Sequence, residues 1–228
     1  MKPLNLILVI FILFSCRNNG QKTYKDTSIK INGIEIESRF LQEIEKETQK
    51  DYLTFTKINW RYEEEKELID TINNGIYFPF VKENRAKKIF NKYHKVLIEN
   101  GIYLFLKNLD FDDKLNSYYD VTLISAVNMF DVIKLMNTNG LNYDVTNEQV
   151  VEQMKVWDNL VKFKLVVADE DRIEAKMTSL PADLDSFVNE IYNFCPDVIE
   201  QGYTDIDEMK ADYLKNKYFW LWWDYNGT

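Results

Sequence analysis

The chain has 228 residues and a formal net charge of -9, with a sequence pI near 4.8. That acidity argues against nucleic acid or an anionic membrane surface as a partner of the folded part. Charged residues make up 29% and hydrophobic ones 46%, which is a globular and not a disordered balance. With one histidine and two cysteines, a Cys/His zinc site is nearly excluded, and neither a metal nor another cofactor is expected.

The first residues read as an export signal. Lys2 precedes the apolar run Leu4-Asn5-Leu6-Ile7-Leu8-Val9-Ile10-Phe11-Ile12-Leu13-Phe14, and the small Ser15 stands before Cys16. The run is about half the ~20 residues needed to span a bilayer. Leu13-Phe14-Ser15-Cys16 resembles a bacterial lipobox. The resemblance implies cleavage before Cys16 and lipidation of its thiol with fatty-acyl chains such as palmitate. Several chains, at roughly 0.8 kcal/mol per buried CH₂, make a firm membrane anchor. No acidic residue follows Cys16, which in lipoproteins favours the outer membrane over inner-membrane retention. Lipidation of Cys16 leaves Cys195 without an intramolecular disulfide partner.

After a polar tether, Ile29 to Ile36 alternates apolar and polar residues around Asn32-Gly33, a hairpin pattern. Arg39 to Lys50 reads as a short polar helix and Tyr52 to Ile58 as a strand. The acidic run Glu63 to Glu67 reads as a solvated helix face. Ile76 to Phe80 looks like a short edge strand, because Pro79 suits an edge or an end. Ala86, Ile89, Phe90, Tyr93, Val96 and Leu97 then recur at helical spacing, with Gly101 as the stop. His94 falls outside that stripe and is expected on the surface. Strands follow at Ile102–Leu106 and Tyr119–Ala126. The acidic turn between them lacks the glycine and distal glutamate of a calcium loop.

Met129 to Met136 reads as a helix ended by Asn137-Thr138-Asn139-Gly140. Thr146 and Gln149 have capping-box spacing, opening a helix with Val150, Val151, Met154, Trp157 and Val161 on one face. Phe163–Val167 and Arg172–Met177 are strands. Asp183 caps a helix stopped by Pro196, and Thr204 or Asp207 starts another. Tyr218 to Asp224 reads as a strand with no polar face, hence a central one. The whole predicts an α/β or α+β fold, a mixed β-sheet with packed helices. The expected organisation is a signal peptide over 1–15, a tether over 16–27, an N-terminal extension with a β-hairpin over 28–75 and one main domain over 76–228.

Three segments are distinctive together: Thr138-Asn139-Gly140-Leu141-Asn142-Tyr143-Asp144, Tyr192-Asn193-Phe194-Cys195-Pro196-Asp197-Val198-Ile199-Glu200-Gln201-Gly202, and Leu221-Trp222-Trp223-Asp224. Their order and spacing resemble the bacterial family known as domain of unknown function 4253, over roughly residues 120–224. The resemblance implies one fold unit and assigns no activity. Members of that family mostly lack a lipobox, so the anchor is a departure.

Cys195 sits at a helix C-terminus, where the partial negative charge disfavours a thiolate, so it reads as a buried small hydrophobe. Asp197, Gln201 and Gly202 form a polar turn with two readings. In one they hold backbone donors freed by the helix break. In the other, Asn142, Tyr143, Asp144, Asp197, Gln201, Trp222 and Asp224 form a binding patch of fixed polar groups beside aromatic surface. The functional expectation is a non-enzymatic binding or interaction module of the cell envelope, with an immunity-type factor as one form of it, membrane-held by its lipid and facing a protein partner. The rival is a small hydrolase or transferase using the carboxylate and amide groups of that patch.

Overall fold

The computed structural model describes residues 29–31, 34–63 and 66–224, and for residues 29, 34 and 56–74 it describes the backbone alone. The lipobox, the tether and the Asn32-Gly33 turn lie outside the described residues. Strands β1 (Ile29–Ile31) and β2 (Ile34–Ile36) pair antiparallel with Ile31 opposite Ile34, the register that a two-residue connection requires. Helix α1 (Ser38–Thr48) turns Leu41 and Ile44 inward and stops at Gln49 in a left-handed conformation.

Strands β3 (Leu53–Glu63) and β4 (Lys66–Lys82) form a long antiparallel ribbon. This corrects the helical reading of Glu63–Glu67, since Glu63 closes one strand and Lys66 opposes it at the start of the next. The flanks, rich in β-branched and aromatic residues on both sides, pair with each other and carry the charged run to the ribbon's tip. The short edge strand assigned to Ile76–Phe80 is likewise part of β4, which has β3 on one side and β6 (Ser117–Ser125) on the other. Pro79 is tolerated because β4 bulges there: its register with β6 shifts between Phe78 and Val81, and Phe80 has φ 51°. A domain boundary at 75/76 would therefore fall inside one strand.

Helix α2 (Glu83–Ile98) ends before Gly101, whose φ of 75° needs glycine and whose N–H donates to the Ile98 carbonyl. It leads into β5 (Ile102–Phe111), which pairs antiparallel with β6. Next come α3 (Met129–Met136), capped by Asn128, and a 3-10 turn at Leu141–Tyr143. Helix α4 (Asn147–Val161) has the full Thr146/Gln149 capping box. The hairpin β7 (Phe163–Ala168) and β8 (Arg172–Met177) precedes α5 (Leu184–Phe194), capped by Asp183. A π turn at Val198–Gly202 joins α5 to α6 (Ile206–Asn216). Its cap is Asp205 and not Thr204 or Asp207, because only the Asp205 side chain accepts the Glu208 N–H. The last strand is β9 (Tyr218–Trp222).

The seven-stranded sheet has the order β3-β4-β6-β5-β7-β8-β9. Its joints are antiparallel except β5–β7, which is parallel and has a single facing pair, Leu106 and Val167. Runs of strands and segregated helices packed on a mixed sheet make this an α+β fold. One face is covered by α3, α4, α5 and α6, with Trp157 meeting the edges of Phe187, Phe194 and Phe219. The other is covered over β4, β6 and β5 by α2, with α1 and the β1–β2 hairpin outside it.

Two expectations fail on this layout. β9 is an edge strand, not a central one. Phe219 and Leu221 are buried, whereas Tyr218, Trp220 and Trp222 lie half-buried on the opposite face of the strand. Bulky rings with polar tips suit such a half-covered edge. His94 is 6% exposed and not on the surface, because α2 is covered by α1 on one side and by the sheet on the other. Its ring stacks on Phe90, and its Nδ1 lies 3.2 Å from the Leu104 carbonyl.

Candidate functional site

Pro196 ends α5 and turns the chain so that Cys195 and Asp197 both point into the molecule. The Cys195 thiol is buried and donates to the Trp222 carbonyl at 3.2 Å. Burial, then the Asp197 charge, push its pKa up to about 12. This agrees with the expected inert, packed cysteine.

Asp197 is 2% exposed, and both carboxylate oxygens are engaged. Oδ1 accepts the Tyr143 hydroxyl at 2.5 Å, and Oδ2 accepts the Asp224 N–H at 2.8 Å. Asn142 closes the circuit by donating Nδ2 to the Asp224 carbonyl at 2.7 Å. The Tyr143 hydroxyl is held above its ordinary pKa, first by its bond to Asp197. Trp222 joins through its backbone carbonyl, which accepts the Cys195 thiol. Two glycines let the aromatic rings sit this close. A Cβ on Gly140 would stand 2.5 Å from the Trp223 ring, and one on Gly202 would stand 2.1 Å from Trp220.

Of the seven patch residues, then, Asn142, Tyr143, Asp197, Trp222 and Asp224 converge. Asp144 and Gln201 are exposed and stand outside this circuit. Chemically the circuit is a fastener: it ties the 3-10 turn, the end of α5 and the residues after β9 together. Residues 120–224 match the model of the family described as Domain of unknown function (DUF4253). All three distinctive segments lie inside the DUF4253 match, and the fastener is built from them. No curated protein and no solved structure matches the chain.

A concave part of the described surface lies elsewhere, between this segment and α2. Beyond α2 this face of β7, β8 and β9 is only partly covered, and a cleft of about 330 Å³ lies between α2, this part of the sheet and the end of α6. Phe90, Val166 and Tyr218 give it apolar surface, and Lys87, Asn91, Lys176, Asp212 and Asn216 give it polar groups. Tyr218 is held from behind. Its hydroxyl donates to Glu174 at 2.6 Å, and Glu174, 3% exposed, also accepts Arg172 at 2.7 Å and Tyr119 at 3.2 Å. Burial, then the Glu174 charge, raise the Tyr218 pKa far above its ordinary value, so the phenol stays protonated and fixed. On the α6 side, Asp212 accepts the Tyr203 hydroxyl at 2.8 Å and the Asn216 amide at 2.5 Å.

The sequence reading missed this cleft. One signal was available: Lys164 is the one polar residue of β7 and Lys176 stands at its mirror position in β8 about the Asp169-Glu170-Asp171 turn, so pairing the strands places them opposite one another. Among the described residues, no group of three or more His, Cys, Asp or Glu side chains is placed to hold a metal ion, and no helix is long and apolar enough to cross a membrane.

Proposed function

We propose that the chain is an envelope lipoprotein, anchored through Cys16, whose folded part is a binding module that takes a small molecule in the cleft between α2, α6 and β9. The observation that carries the binding reading is the cleft itself. It is concave, its apolar floor is ringed by fixed polar groups, and its about 330 Å³ lies at the lower end of ordinary ligand sites. The envelope address rests on the order of Lys2, the apolar run and Leu13-Phe14-Ser15-Cys16. The hydrolase or transferase alternative draws less support, because it needs Asp197 as a free carboxylate and both oxygens of that group are engaged.

The test has two arms. Cells given an alkyne fatty acid should label the protein, and Cys16→Ser should abolish the label and release the protein from membranes. In parallel, the full-length protein in detergent is surveyed by thermal shift against small polar molecules, beside an Asn91→Trp variant whose indole fills the cleft. A compound that stabilises the first protein and not the second establishes the site. If every stabilising compound acts equally on both, the cleft is not where binding occurs.

A further inference from the structure

We infer that the cleft is an oxyanion site, recognising a small molecule through a phosphate or carboxylate group held by Lys176 of its lining and by Lys164 directly across the strand pair. This inference rests on the cleft being the binding site.

The sheet register brings the cations together. Lys164 of β7 is directly opposite Lys176 of β8, and Lys176 is directly opposite Tyr218 of β9. The neighbours Phe163, Leu165, Ala175 and Met177 all point into the core on the far face. Lys164, Lys176 and Tyr218 therefore form one transverse row on the partly covered face. Lys87 enters from α2, its Nζ 5.8 Å from the centre of the Tyr218 ring.

Like charges placed directly across a strand pair repel and weaken the pairing. This one is found in a protein with net charge -9, where acidic partners are plentiful. The nearby carboxylates are already engaged elsewhere. Glu174 is matched by Arg172 and Glu83 by Lys87 at 2.6 Å, while Asp212 is held on the α6 wall by the neutral donors Tyr203 and Asn216 and keeps its charge there. Among the described residues, neither Lys164 nor Lys176 makes an ion pair. An anion lying over the row would remove that repulsion and add charge-assisted hydrogen bonds. Lysine ammoniums act as point charges with rotatable donors, so they suit an oxyanion without demanding bidentate geometry. The Tyr218 ring and Val166 offer apolar contact to the rest of such a molecule.

The experiment uses inorganic phosphate and citrate as probes on the full-length protein, with potassium chloride at matched ionic strength as the reference. Unfolding is followed by tryptophan fluorescence on heating. Binding with a dissociation constant near 1 mM should raise the midpoint by about 4 °C at about 10 mM anion. The Lys164→Gln/Lys176→Gln double variant should lose this rise. Its midpoint without anion should equal or exceed that of the parent, since the repulsion is gone, and this shows that the variant is folded. Stabilisation by either probe that the variant abolishes supports the inference. No rise beyond the chloride reference, or an equal rise in the variant, overturns it. If an uncharged compound is meanwhile blocked by Asn91→Trp, the cleft remains a binding site and only its anion preference fails.

Discussion

His94 lies against Phe90 and Tyr103 under the cover of α2, and its one polar contact is the Leu104 carbonyl. A carbonyl only accepts, so Nδ1 carries the proton and the neutral ring is the one that fits. Burial lowers its pKa below the ordinary imidazole value of about 6.5, and the charge of Lys164 adds to this. The sign follows from linkage. Below about pH 6.5 the unfolded chain takes up a proton that the folded chain resists, so stability is full above that pH and falls as pH drops towards the folded pKa. Urea unfolding measured between about pH 7.5 and 5.5 should show this loss, and His94→Gln should flatten it. The carboxylates with lowered pKa values, such as Glu43, Glu47 and Glu83, act below this window. The sequence misplaced His94 because a single apolar stripe assumes one covered face. Tyr93 instead meets Glu43 and Glu47 of α1 while His94 meets β5, so α2 is covered over a wider arc. Cys195 was legible because its position at a helix end and its neighbours both argued against a thiolate.

At the level of the strands, Asp120 holds two irregularities at once. Its Oδ1 accepts the Phe80 N–H at 3.0 Å, at the bulge of β4. Its Oδ2 accepts Asn108 Nδ2 at 2.7 Å and Lys107 Nζ at 3.3 Å, where β5 breaks register. Phe80 and Asn108 both have positive φ, at 51° and 52°. One carboxylate on β6 thus supports strained backbone on both neighbouring strands. Removing it also strands Lys107, which is buried against Phe55 and Tyr77. Asp120→Ala should cost about 3–5 kcal/mol in urea unfolding, and adding Lys107→Met should restore part of the loss. None of this could be read from sequence, because bulges carry no fixed pattern. Gly75 lies in the same region, and it is glycine because the Leu123 carbonyl of β6 would stand 2.2 Å from a Cβ there. The helices α3, α4 and α5 were legible because caps and apolar spacing agreed, as in the Thr146/Gln149 box.

Across the whole molecule, the DUF4253 segment is not a complete sheet. The match starts inside β6, and β5, which lies before it in the chain, stands between β6 and β7. The folded unit therefore needs β5, β4 and α2 as well. The fastener around Asp197 secures the far edge of this unit, where β9 has only one neighbouring strand. Asp197→Ala should leave the Tyr143 hydroxyl and the Asp224 N–H without their acceptor, and lower stability by about 3 kcal/mol by urea unfolding. Tyr143→Phe should cost about half as much, since it removes one of the two bonds. The convergence of Asn142, Asp197 and Asp224 was foreseeable as a grouping. Its role was not, because whether a carboxylate is spare or spoken for depends on contacts between segments 54 and 27 positions apart.

The parallel joint between β5 and β7 has a mechanical meaning. The strands β3-β4-β6-β5 and β7-β8-β9 are each knitted by antiparallel ladders of many pairs, bulges included, whereas the two panels meet backbone to backbone at one facing pair. Resistance to shearing along that line comes from side chains that straddle it: the Trp157 aromatic layer on one face, Val166 and Val167 under α2 on the other, and Asp169 gripping the Asn108 N–H at 2.7 Å. The cleft opens on the β7-β8-β9 panel and takes one wall from α2, which rides on the other. Small slippage between panels would change its width, so whatever occupies the cleft also splints the molecule across its weakest line.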